Sequence, residues 1–180
     1  MIRLTSRDLV APRRLTVVTT GEIVVRDAES TDITACALLI SHHLLDDLEE
    51  WKSRFERDLA NPQRQFLVAT VDHSVVGYGH TTFHPGQVED EIKSGPTGYF
   101  LSGLLVSPAH RRRGLGRLLT TARIDGLRQM TDVVYYRADP DNQATIDLHA
   151  RLGFKEIGSV VRGGKAFTLF SLEFHSVNRR

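Results

Sequence analysis

Cysteine is nearly absent from this chain, which has Cys36 alone in 180 residues. One thiol excludes an internal disulfide framework and a cysteine-built zinc site, and it fits a reducing compartment. No metal site is expected. A surplus of charge is missing too, since 23 basic and 22 acidic residues leave a net charge of +1. Proteins that bind nucleic acid or anionic membranes through their overall charge are more basic, so any basic feature here must act locally. No apolar run approaches the length of a membrane span. Residues 1–20 carry Arg3, Arg7, Arg13 and Arg14 but no apolar block of the kind a signal peptide needs. No repeat or low-complexity tract occurs. The expectation is a cytoplasmic protein that engages neither nucleic acid nor membrane. The length suits one domain with a real core and is cramped for two.

What is present is a regular succession of strand and helix patterns. Residues 1–20 are weakly periodic and read as an extension with at most one short strand; residues 21–176 read as the domain. Glu22–Ala28 reads as a strand. Residues 29–45 read as a first helix, with Ser30, Thr31 and Asp32 as candidate N-caps. Cys36 lies inside it, where a small buried hydrophobe is the plainer role. Leu48, Trp51, Phe55 and Leu59 repeat at helical spacing and end at Asn61-Pro62. Two β-rich runs flank Asp72-His73-Ser74 as a hairpin, with Gly77 and Gly79 in its second strand suggesting a bulge or a close backbone approach. A polar loop over residues 84–98 is long enough to suggest function. A strand over 99–107, a helix over 115–130, a strand over 132–138, a helix over 141–153 closed by Gly153, and two final strands complete the chain. The expected class is α/β with mixed α+β character: one domain with a central mixed sheet of about seven strands and helices on both faces.

The run Leu104–Arg123, "LLVSPAHRRRGLGRLLTTAR", holds the most informative chemistry. It places Arg111, Arg112 and Arg113 against Gly114 and Gly116 at a strand-to-helix turn. The first N–H groups of a helix lack partners inside it, and the helix dipole adds positive charge there. Glycines bring that backbone within reach of a ligand, and arginines neutralise its charge. The pattern reads as a phosphate cradle. It is not a dinucleotide fingerprint, which needs a third glycine, nor a P-loop, which needs Gly-Lys-Ser/Thr.

Val106-x-Pro108-x-x-Arg111-x-x-Gly114-x-Gly116 resembles the acetyl-CoA signature of the GCN5-related N-acetyltransferase (GNAT) family. Downstream, Asn142, Ala144 and the "LHARLGF" run from Leu148 to Phe154 resemble the family's second signature. The resemblance covers Glu22 to Phe174. It implies a splayed sheet whose gap, between the strands bearing Leu104–Val106 and Val133–Arg137, holds acetyl-CoA. Backbone groups of Leu104, Leu105 and Val106 would face the pantetheine arm. N–H groups across Arg112, Arg113, Gly114, Leu115, Gly116 and Arg117 would hold the pyrophosphate, with Asn142 and Thr145 at the pantetheine or phosphate end.

It also implies an N-acetyltransferase. The Val106 N–H is then the candidate oxyanion donor. His149 stands where the family commonly has a tyrosine that protonates the leaving sulfur; the alternatives are a packing role for His149 and an acid role for Tyr135 or Tyr136. The strand ahead of the first signature carries no carboxylate. His84 and the loop acids Glu89, Asp90 and Glu91 are therefore the direct base candidates, beside a water relay. Cys36, on an apparent core face, points to direct transfer without an acetyl-enzyme.

The acceptor side is expected near Asp46 and Asp47, between the first two helices, and near Glu89, Asp90 and Glu91. Carboxylates at a cleft mouth favour a small cationic amine, an aminoglycoside (kasugamycin is one conceivable example) or a polyamine. The alternatives are acetylation of a protein N-terminus or lysine, and a silent acetyl-CoA-binding module. A homodimer stays open.

Overall fold

The computed structural model describes residues 18–20, 22–85 and 95–174. Its elements are β1 (Val18–Thr20), β2 (Ile23–Asp27), α1 (Ile33–Leu44), α2 (Leu48–Ala60), β3 (Arg64–Val71), β4 (Ser74–His84), β5 (Gly98–Val106), α3 (Leu115–Leu127), β6 (Val133–Ala138), α4 (Gln143–Ala150), β7 (Lys155–Arg162) and β8 (Lys165–Glu173). The strands form one eight-stranded sheet in the order β1-β2-β3-β4-β5-β6-β8-β7. The expected mixed class, with helices on both faces, is what the chain adopts. The additional strand is β1, which lies at the end of the N-terminal extension and pairs antiparallel with β2. Among the described residues no helix is long and apolar enough to cross a membrane.

Local chemistry explains most element ends. The Asp47 side chain accepts the Glu50 N–H at 2.9 Å and starts α2. The β3–β4 hairpin turns on Asp72 and His73, both at positive φ, the backbone twist such a tight hairpin favours. Gly153, at φ +94, follows α4 as expected. Two ends differ from the sequence reading. Asp32 does not cap α1 with its side chain; its buried carboxylate instead accepts Arg26 at 2.6 and 2.9 Å and the Glu29 N–H at 2.8 Å. α3 stops at Leu127, three residues short of the expected end, where Met130 and Thr131 N–H groups turn back onto the Leu127 carbonyl.

The two sheet faces have separate cores. α1 and α2 bury Cys36, Ile40 and Phe55 against Phe66, Val68, Tyr78 and Leu105. α3 buries Leu115, Leu119 and Ala122 against Val25, Leu67 and Ala69, with Leu104 and Val106 beside them. Further along the α3 face, Ile124 and Leu127 pack on Tyr99, Leu101, Val134 and Tyr136. β5 therefore changes phase within its length. Tyr99 and Leu101 face α3, and so do Leu104 and Val106, which alternation alone forbids. A bulge opposite Tyr78–His80 supplies the extra residue. Gly103 sits there at φ +59, and a Cβ on it would come 2.7 Å from the His80 ring. Only glycine fits.

Candidate functional site

The sheet opens beside that bulge. β5 and β6 are the parallel neighbours, and they pair only at Tyr99–Val134, Phe100–Tyr135 and Leu101–Tyr136. From Ser102 onward β5 has no partner on that side. The Ser107 N–H donates to the Val76 carbonyl on β4 at 2.8 Å. Strand alternation then turns the N–H and C=O of Val106 toward the open edge. Arg111 Nε, arriving from that edge, donates to the Val106 carbonyl at 3.3 Å.

A cavity of about 800 Å³ fills the opening on the α3 and α4 side. Its walls include Leu104, Leu105, Val106, Arg111, Arg112, Gly114, Leu115, Gly116, Arg117, Asn142 and Thr145. All eleven were expected as cofactor contacts from the sequence. Gly114 has φ +84, and a Cβ on it would meet nothing within 4 Å, so its backbone stands open to the cavity. The helical bonds begin with the Leu118 N–H to Gly114 O at 3.0 Å, leaving those of Leu115, Gly116 and Arg117 without helical acceptors. Arg112, at φ +65, turns the chain into this helix start. No carboxylate among the described residues pairs with Arg111, Arg112, Arg113 or Arg117. Open N–H groups, a positive helix end and unpaired guanidiniums fit a pyrophosphate. Arg113 is exposed and does not line the cavity. Asn142 lines it while its Oδ1 accepts the Thr145 N–H at 3.2 Å as the cap of α4. His43, His110 and Arg151 also line it and were missed. Arg151 could have been found, because it lies inside the "LHARLGF" run.

His149 lies behind this wall, 2% exposed, at the apex of the opening. It stacks on Tyr136 with ring centroids 3.8 Å apart, and Phe154 meets it edge-on. Burial pushes its pKa down to about 4, so it is neutral at pH 7. Its Nδ1 lies 2.9 Å from the Thr145 carbonyl, an acceptor, so Nδ1 carries the proton and Nε2 a lone pair. This tautomer places no proton on Nε2, which runs against the expected role as acid. Burial raises the Tyr135 and Tyr136 phenols, which keep their protons. Cys36 is fully buried and its thiol is pushed up to about 12, as an inert core residue should be.

The α1 side of β5 carries a cavity of about 510 Å³ lined by Leu38, Leu39, His42, Leu105, Val106 and Arg111, and further along that face a smaller one of about 190 Å³ lies beside Ser102 and Gly103. His84 lies on this side, its ring 5.6 Å from that of Phe100. Burial and the nearby Arg137 and Arg162 lower its pKa. Arg137 and Arg162 line this cavity; the sequence reading had assigned them no role. Asp46 and Asp47 sit on the exposed turn between α1 and α2 and line no described cavity; Asp47 is committed to capping α2. Glu89, Asp90 and Glu91 lie outside the described residues.

Beneath the bulge lies Arg123, 1% exposed and without a carboxylate partner among the described residues. It donates to the carbonyls of His80 (2.8 Å), Ser102 (3.2 Å) and Leu119 (3.2 Å), and to Thr120 Oγ1 (3.1 Å). Its signal in the sequence was an arginine four residues after Leu119, on the apolar face of α3.

The acetyltransferase (GNAT) family model matches residues 33–154. The N-alpha-acetyltransferase RimI of Mycobacterium tuberculosis is 28% identical over 84% of this chain and 90% of its own length. The uncharacterized protein ML0378 of Mycobacterium leprae is 29% identical over 76% of this chain, which spans only 35% of that protein. The structure of yncA from Salmonella typhimurium, solved with its cofactor acetyl-CoA, superposes with a TM-score of 0.68 at 22% identity and covers 89% of this chain and 98% of that one. With the family model spanning most of the domain, and both signatures inside it, the chain belongs to the acetyltransferase (GNAT) family.

Proposed function

We propose that this N-acetyltransferase uses acetyl-CoA to acetylate the α-amino group of a peptide or protein N-terminus. The observation that carries the reading is the placement of β5. Its reacting stretch, Ser102 to Val106, borders the large cavity on one face, and on the other a cavity of about 510 Å³ at Leu105 and Val106 and one of about 190 Å³ at Ser102 and Gly103. The α-amino acceptor follows the likeness to an N-alpha-acetyltransferase over 84% of the chain. The cationic small-molecule reading has less support, because among the described residues the 190 Å³ cavity is lined by two arginines and no carboxylate, and the 510 Å³ cavity is mostly apolar with no carboxylate.

In this reading Leu115, Gly116 and Arg117 N–H groups, with Arg111 and Arg112, hold the pyrophosphate. Acetyl-CoA supplies an acetyl thioester. The open-edge N–H of Val106 is placed to donate to developing negative charge, a role that preorganised backbone groups fill well. His84, held neutral by burial and its arginine neighbours, is the base that takes the proton of the acceptor ammonium. Cys36 plays no part, so transfer is direct.

The test is a panel of acceptors read by mass spectrometry and thiol release: peptides with free N-termini, lysine peptides with blocked N-termini, aminoglycosides and polyamines. Acetylation confined to peptide α-amines is the expected result. Turnover of aminoglycosides or polyamines alone would overturn the acceptor assignment, and no turnover at all would leave an acetyl-CoA-binding module.

A further inference from the structure

Two partly buried arginines of this protein pair with an acid, and the buried Arg123 is held by carbonyls instead. Arg26 holds Asp32, and Arg64 pairs with Asp58. Lys165, at the β7–β8 turn, pairs with Asp139. Arg137, partly buried, and Arg162, exposed, differ from both. Both line the small cavity beside Ser102 and Gly103, and neither has a carboxylate partner among the described residues. Arg137 lies with its guanidinium carbon 4.9 Å from the Phe100 ring centroid, which fixes the fork over the cavity floor. Burial first, and the positive charge of Arg162 second, lower the pKa of Arg137. Like charges gathered beside aromatic rings at a reacting strand cost stability unless an anion arrives to join them.

We propose that the acceptor carries a carboxylate close to the amine it presents, and that Arg137 and Arg162 hold this carboxylate on the face of β5 opposite the donor cavity. Resting on the peptide α-amine reading above, this makes the acceptor an N-terminus with Asp or Glu among its first two residues. A guanidinium fork matches a carboxylate in two-point geometry, and a polyamine would be repelled from the same place. Selection for an acidic residue is thus set at the mouth of the acceptor side, whereas the phosphate cradle on the other face is indifferent to it.

The test compares hexapeptides beginning Ala-Glu, Ala-Gln and Ala-Lys at saturating acetyl-CoA. The expected order of kcat/KM is Glu above Gln above Lys, with about tenfold or more between the extremes, as for a charge-assisted contact. The preference should shrink as salt rises. Arg162→Gln, at an exposed position, and Arg137→Gln should each lower the Glu-to-Gln ratio of kcat/KM about tenfold, with KM for acetyl-CoA unchanged; their effect on His84 falls on both peptides alike and leaves that ratio untouched. Equal rates for the three peptides, or variants that leave the Glu-to-Gln ratio as it was, would overturn the proposal while the peptide reading stands. If no peptide reacts, β-alanine, its amide and putrescine take their place. Turnover of β-alanine above the other two keeps the anionic acceptor and discards the peptide. Preference for putrescine, equal turnover of the three, or no reaction with any of them, discards both.

Discussion

Replacing Arg123 by methionine tests whether a buried guanidinium holds the reacting strand in place. Two energies oppose each other. Burial lowers the Arg123 pKa from 12.5 to about 9, which corresponds to roughly 5 kcal/mol of penalty on its charged form. Methionine removes that penalty and keeps much of the volume. It also strips donors from the His80 and Ser102 carbonyls, at about 1–3 kcal/mol for each buried acceptor left unpaired. The two nearly cancel, so the change in stability by urea denaturation should stay within about 2 kcal/mol. Activity should not cancel. The guanidinium ties β4 to β5 where Gly103 shifts the strand's phase, and that shift sets which edge the Val106 N–H faces. kcat should fall at least tenfold, as for other small displacements of reacting groups. Gly79→Ala probes the same contact from the other side, because its Cβ would lie 3.1 Å from Arg123 Cζ. It should lower kcat in the same direction by a smaller factor. A methionine variant with wild-type kcat and a large loss of stability would refute the argument and leave Arg123 as a core filler.

Gly114→Asp should weaken acetyl-CoA binding by about a hundredfold or more in calorimetry, because it adds a negative side chain to open cavity space beside the helix start without displacing any neighbour. His149 has a folded pKa of about 4, below its ordinary 6.5. The unfolded chain therefore takes up protons first, and this histidine's share of stability is complete above pH 6.5 and lost as pH falls toward 4, amounting to roughly 3 kcal/mol. His149→Phe, which keeps the stacking on Tyr136, should flatten that part of the stability–pH curve and leave an acid-side curve like the wild type's only if the histidine is not buried neutral. His84→Gln should abolish the acid limb of kcat/KM, which in the wild type lies below the ordinary histidine value because burial and two arginines lower the pKa; an unchanged limb would remove His84 from the chemistry. Cys36 should react with iodoacetamide at pH 8 only as fast as the protein unfolds, measured by labelling across a urea series.

Local pattern was enough to write down most elements and one half of the site. Strand and helix periodicity, the Asp72-His73 turn and the Gly153 stop are near-neighbour effects, and so is the cradle, whose arginines, glycines and helix start lie within seven consecutive residues, 111–117. What escaped the sequence depends on residues far apart in the chain. Arg123 reaches the His80 and Ser102 carbonyls across 43 and 21 positions. Arg137 and Arg162 come together because β6 and β7 both flank β8, and nothing in their own neighbourhoods marks either one. The chemistry of His149 was equally hidden: its sequence position suggests a proton donor, while burial against Tyr136 and the Thr145 carbonyl fixes a neutral ring with its only proton on Nδ1. Residue type and spacing decide which groups are available to act. Their charge, their tautomer and the face on which they meet are decided by desolvation and by contacts that only the folded sheet brings about.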